Sequence, residues 1–143
     1  MRQVITRPPS FPESIRDAAI TPEAGVRWQV LCGDADHWRV GLYAPESGSA
    51  DDCRELERHD CPELFLLVSG RVTLVLSDGH GGRREVPLQA GKPVLVEAPH
   101  TAYCPDGPHT GTAFVVERDA FDTEYREVGE WETSKVRGLR SEV

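Results

Sequence analysis

Apolar residues along this chain fall in short runs closed by glycine, proline or polar clusters, and no stretch sustains a helical period. Residues 26–32 and 37–44 are rich in Trp, Val, Leu and Tyr around Gly33-Asp34-Ala35-Asp36, which predicts two strands and a turn. After a polar loop over 45–52, residues 53–59 read as another strand. Residues 64–68 are apolar, Ser69-Gly70 turns the chain, and 72–76 alternate Val, Thr, Leu, Val, Leu, which predicts a hairpin. Asp78-Gly79-His80-Gly81-Gly82 is a dense turn signal, followed by strand candidates at 84–88, 94–96, 100–104 and 112–117. Such punctuation predicts an all-β sandwich or barrel, with a ligand in its interior.

The flanks differ. Pro8, Pro9, Pro12 and Pro22 restrict residues 1–25 to an extended arm, with room for a short helix over 13–20. Residues 118–143 are mostly polar, with Phe121, Tyr125, Val128 and Trp131 as scattered anchors, and are expected to be irregular or a short helix. The expected organisation is an N-terminal arm over 1–25, one β-domain over 26–118 and a polar extension over 119–143.

With 143 residues, 38% of them hydrophobic, the chain has enough material for one core but not two. Its formal charge of −8 argues against nucleic acid or an anionic membrane as partner, since both require a positive face. No run approaches the roughly 18–20 apolar residues that span a bilayer. The N-terminal arginines have no apolar segment after them, so a cytoplasmic protein is expected. Cys32, Cys53, Cys61 and Cys104 form no Cys-x-x-Cys pair and read as small hydrophobes.

Candidate chemistry concentrates in residues 57–70, Glu-Arg-His-Asp-Cys-Pro-Glu-Leu-Phe-Leu-Leu-Val-Ser-Gly. On a strand Glu57 and His59 point to one side and Arg58 to the other. Glu63 follows a Pro62 turn and can return beside them, and His100 opens a later strand. Two imidazoles and two carboxylates suit a divalent first-row metal such as Fe, Mn, Ni, Co or Zn. A second reading leaves Glu57 as a surface carboxylate paired with Arg54 or Arg58. Among the other histidines, His80 is expected exposed in its turn, His37 at a strand start and His109 at a rim. Trp28, Trp38, Phe65 and Tyr103 could line a pocket or serve as ordinary packing.

This stretch resembles the first motif of the cupin superfamily, His-x-His, three or four residues, Glu, six residues, Gly: His59, Glu63 and Gly70 stand in that register. Glu57 occupies the place of the usual first histidine. Residues 91–100, Gly-Lys-Pro-Val-Leu-Val-Glu-Ala-Pro-His, resemble the second motif, although two residues short and without its Pro-x-Gly turn. The likeness spans roughly residues 40–117. It implies a cupin-type (RmlC-like) double-stranded β-helix, a jelly-roll barrel, with a divalent metal held by Glu57, His59, Glu63 and His100. Glu57 and Glu63 are the expected catalytic carboxylates. It further implies a small-molecule enzyme of oxygenase, isomerase, cyclase or lyase type, and a homodimer that exchanges N-terminal strands. The reading from a different class is a non-catalytic small-ligand-binding protein whose metal is structural or lost.

Overall fold

The computed structural model describes residues 1–7, 17 and 19–132. The short helix expected over 13–20 lies largely outside them. The described residues contain eleven strands: β1 (Arg2–Thr6), β2 (Trp28–Asp34), β3 (Trp38–Tyr43), β4 (Glu55–His59), β5 (Glu63–Ser69), β6 (Thr73–Ser77), β7 (Arg83–Pro87), β8 (Val94–Val96), β9 (His100–Tyr103), β10 (Thr112–Arg118) and β11 (Phe121–Glu127). The only helical elements described are two single 3-10 turns, so no helix is long and apolar enough to cross a membrane.

The strands make two antiparallel sheets, six-stranded in the order β1-β11-β4-β9-β6-β7 and five-stranded in the order β2-β3-β10-β5-β8. Their inner faces enclose Phe65, Val72, Leu74, Leu76, Val96, Ala113 and Val115, all buried. Burial of each of the larger of these side chains stabilises the fold by about 1.5–3 kcal/mol. A smaller cluster of Cys53, Leu56, Val75 and Trp131 covers the outer face of the six-stranded sheet.

The expected closed jelly-roll barrel is not formed. Each sheet keeps two edge strands, β1 and β7 in one, β2 and β8 in the other. Closure needs a ladder that runs on around the rim, whereas here the links between sheets are chain crossings. One of them replaces the hairpin expected over 64–76: β5 pairs with β10 and β8, while β6 pairs with β7 and β9 in the opposite sheet. Both strands are apolar, and alternation alone does not distinguish a hairpin from a step between sheets. Gly70 makes the step at φ 63°, where an added Cβ would lie 2.2 Å from the Thr110 carbonyl oxygen, so only glycine fits.

Beyond the expected strands, β1 and β11 pair with each other, and β11 pairs with β4 on its other edge. The segment expected to be irregular after Glu117 therefore supplies a central strand, and the arm begins as an edge strand on its own chain. A cavity of about 180 Å³ opens between the sheets beside β4, β11 and β3. Gly41 shapes its wall, since a Cβ there would fall 1.9 Å from the Trp28 ring, which crosses β3 at that point.

Candidate metal centre

Strand alternation builds the site. On β4, Leu56 turns outward into the Trp131 cluster, while Glu57 and His59 turn inward. Glu57 lies opposite His100 of β9 and Tyr125 of β11, and His59 lies opposite Thr123. The Asp60-Cys61-Pro62 turn carries the chain to the other sheet, where Glu63 opens β5 and faces back across the gap. Glu57, His59, Glu63 and His100 thus come together, each offering one donor atom, with all four atoms within 4.8 Å of one another.

The side chains of His59, Glu63 and His100 are 7%, 5% and 5% exposed, against 24% for Glu57, which borders the cavity. His59 Nε2 contacts a Glu63 oxygen and lies 3.7 Å from Glu57 Oε1. His100 Nε2 lies 3.9 Å from Glu57 Oε1 and 3.3 Å from Glu63 Oε2. Donor atoms bonded to one metal at about 2.0–2.2 Å lie about 3–4 Å from each other, the spacing of the three longer contacts here.

Second partners set the tautomers. His100 Nδ1 donates to the Ala98 carbonyl at 2.8 Å, which leaves the buried Nε2 facing the cluster, 3.3 Å from Glu63 Oε2 but without a well-formed hydrogen bond. His59 Nδ1 is bonded to Thr123 Oγ1 at 2.7 Å. A ring nitrogen anchored outside the cluster while its Nε2 faces inward is the arrangement of a metal-ligating histidine. The cluster is therefore suited to a divalent ion.

Without a cation the four groups hold one another in charged forms. Burial lowers the His59 pKa, but hydrogen bonds to Glu57 and Glu63 outweigh it and raise the group to about 10. Burial likewise opposes ionisation of Glu63, yet His100 and His59 bring it down to about 2. Glu57 is lowered by the same histidines against its own burial, and His100 is raised by the Glu63 and Glu57 carboxylates against its own.

Two wall residues were not singled out by the sequence. Arg39 of β3 and Glu117 of β10 are cross-strand partners with side chains 8% and 3% exposed, and both line the cavity. Burial, then the Glu63 charge, raises Glu117 to about 7. Their apolar neighbours Val40, Phe114 and Val116 lie on the opposite face of the sheet. Of the expected pocket aromatics, Trp28 and Phe65 line the cavity, whereas Trp38 is 46% exposed and Tyr103 bonds Glu85 away from it. His37 and His80 are exposed, and His109 bonds the Ala44 carbonyl on the far side of the five-stranded sheet.

No protein-family model matches the sequence, and no curated protein matches it. Solved structures do. A cupin 2 domain-containing protein from Halorhodospira halophila is 20% identical over 89% of this chain and 82% of its own, with a TM-score of 0.50. A cupin-2 domain protein from Shewanella frigidimarina is 16% identical over 68% of this chain and 84% of its own, with a TM-score of 0.49. The DMSP lyase DddQ from Ruegeria pomeroyi is 19% identical over 64% of this chain, which spans 45% of that enzyme, with a TM-score of 0.47. The first of these likenesses, together with the two facing antiparallel sheets and the buried histidine–glutamate cluster, gives the chain the fold of the cupin superfamily.

Proposed function

We propose that this protein is a metal-dependent enzyme acting on a small organic molecule, with a divalent first-row metal held by Glu57, His59, Glu63 and His100. One observation carries the reading: four donor atoms lie within 4.8 Å of one another at the wall of a cavity, and His100 Nε2 among them has no hydrogen-bond partner. A buried ring nitrogen left without a matched partner costs about 1–3 kcal/mol. When bound, the metal supplies a Lewis acid or an oxygen-binding centre.

The chain's own residues do the remainder. Thr123 and the Ala98 carbonyl orient the two imidazoles, and Phe65 and Phe121 exclude water from one side. Glu57, the most exposed of the four, is the carboxylate with room to exchange a proton with a bound molecule, while Glu63 stays enclosed between the histidines. Two carboxylates make the set harder than three histidines and one glutamate, which favours Fe or Mn over Zn. We further infer a cytoplasmic homodimer. Four free thiols fit a reducing compartment, and exposed apolar side chains on the five-stranded sheet fit a second copy.

Metal analysis of protein purified without chelator tests the site. About one equivalent per chain is expected, lost in His59→Ala with the protein still folded. Stoichiometric metal surviving that substitution would rule the site out. Screening the loaded protein for oxygen uptake and isomerised product against diketones, phenols, amino acids and sugars then separates an enzyme from a binding protein.

A further inference from the structure

Beside Glu63 on the five-stranded sheet, the cavity wall holds a charged pair whose hydrogen-bonding capacity is unspent. Arg39 and Glu117 face each other across β3 and β10, with Nη2 and Oε2 3.5 Å apart. Arg39 Nε and Glu117 Oε2 are both buried without a hydrogen-bond partner. The guanidinium carbon sits 5.0 Å from the Phe121 ring centre and 5.6 Å from that of Trp28. A buried pair of this kind is a poor source of stability compared with apolar residues of the same volume. Leaving a donor and an acceptor unsatisfied costs more still, so a water, an ion or a ligand group is the expected partner of these atoms.

Charge narrows the ligand. Arg39 and Glu117 cancel, and Glu57 with Glu63 cancels a divalent cation. The Glu57 carboxylate, standing where the resembling motif has a neutral histidine, is what brings the metal side to zero. Arg27 at the rim already faces Glu46 at 3.9 Å. With Glu117 ionised, an anionic substrate would find little uncompensated positive charge beside the metal. At about 180 Å³ the space is also below the roughly 300–1,000 Å³ of drug-sized sites.

We propose that Arg39 and Glu117 are the substrate-recognition pair, selecting a small uncharged molecule that carries a hydrogen-bond acceptor beside a donor, such as a hydroxy-carbonyl compound or an amide. The acceptor oxygen takes a bond from Arg39, the adjacent O–H or N–H donates to Glu117 Oε2, and the carbon skeleton lies against Trp28 and Phe121. This rests on the proposed metal-dependent function only for the orientation of the substrate's other end.

Lactamide and lactate share a skeleton and differ in charge, so they serve as probes. Their binding to Zn²⁺-loaded protein is measured by calorimetry and ligand-observed NMR at about pH 8.5, well above the ordinary carboxylate range. Lactamide is expected to bind ~10-fold tighter than lactate. Glu117→Gln leaves Arg39 without its counter-charge and is expected to invert that preference. Arg39→Gln leaves Glu117 alone and is expected to deepen the rejection of lactate, so either variant suffices should the other fail to fold.

Lactate binding more tightly to the unsubstituted protein, a preference unmoved by both substitutions, or no binding of either probe overturns the proposal. Neither residue belongs to the metal cluster, so both variants are expected to keep the parent's metal content. Repeating the measurement after chelation keeps the two readings apart. A preference for lactamide that persists in metal-free protein supports the pair even where the metal site fails.

Discussion

Glu63 and His59 are in buried polar contact, and their ionisation links the site to folding. With no metal bound, Glu63 is lowered to about 2 and His59 raised to about 10. The carboxylate's contribution is present above its unfolded pKa near 4.5 and is lost as pH falls through about 2. The imidazole's contribution is complete below 6.5 and is lost as pH rises through about 10. Glu117, raised to about 7, works against the fold as it ionises above 4.5, which pulls the optimum toward the acid end of that window. Chelated protein is therefore expected to show its highest urea midpoint between about pH 4.5 and 6.5 and to decline on both sides. Metal reverses the alkaline limb, because it binds the deprotonated histidine and competes with the proton. Urea titrations from about pH 4 to 9, with and without Zn²⁺, check this, and a chelated protein that gains stability steadily above pH 7 contradicts it.

Among the strands, β11 has the largest role that its composition conceals. Phe-Asp-Thr-Glu-Tyr-Arg-Glu has few apolar residues, yet its period of two puts Phe121, Thr123 and Tyr125 on the cavity side. Phe121 packs its ring 4.7 Å from that of His59, and Thr123 holds His59 Nδ1. Thr123→Val keeps the shape and removes the bond. Metal affinity is expected to fall about 10–100-fold with little loss of stability, read by competition with a chromophoric chelator; unchanged affinity would show that packing alone orients the ring. The remaining strands were legible where glycine or proline closed an apolar run, and the site was legible because Glu57, His59 and Glu63 lie close together in sequence. Pairing was less so. Whether β5 and β6 share a sheet depends on Gly70 meeting the Thr110 backbone, a contact 40 residues distant that no local pattern encodes. Arg39 and Glu117 escaped notice for a related reason: in β3 and β10 the larger apolar residues face outward, so the usual assignment of faces was inverted.

That inversion governs the whole molecule. The six-stranded sheet has its outer face capped by Leu56, Val75 and Trp131, whereas the five-stranded sheet exposes Leu64, Val68, Leu95, Phe114 and Val116 on neighbouring strands β5, β8 and β10. Contiguous apolar surface of this kind marks an interaction face more often than a solvated one. Residues 20–26 border the same face around Val40 and Leu42 and share a groove with Val68 and Phe114, while Leu64, Leu95 and Val116 stay exposed among the described residues. Two copies meeting there would bury a sheet face rather than an edge, and a stable dimer needs about 1,200–2,000 Å² of total surface. Sedimentation velocity at micromolar concentration is expected to give a dimer. The double substitution Phe114→Glu and Val116→Glu places two carboxylates at the centre of the interface and is expected to give monomers. Because both side chains point away from the cavity, metal content should not change. A monomer for the unsubstituted protein would overturn the dimer, and a dimer that survives the two glutamates would remove this face as the contact and turn attention to the edge strands β1, β7, β2 and β8.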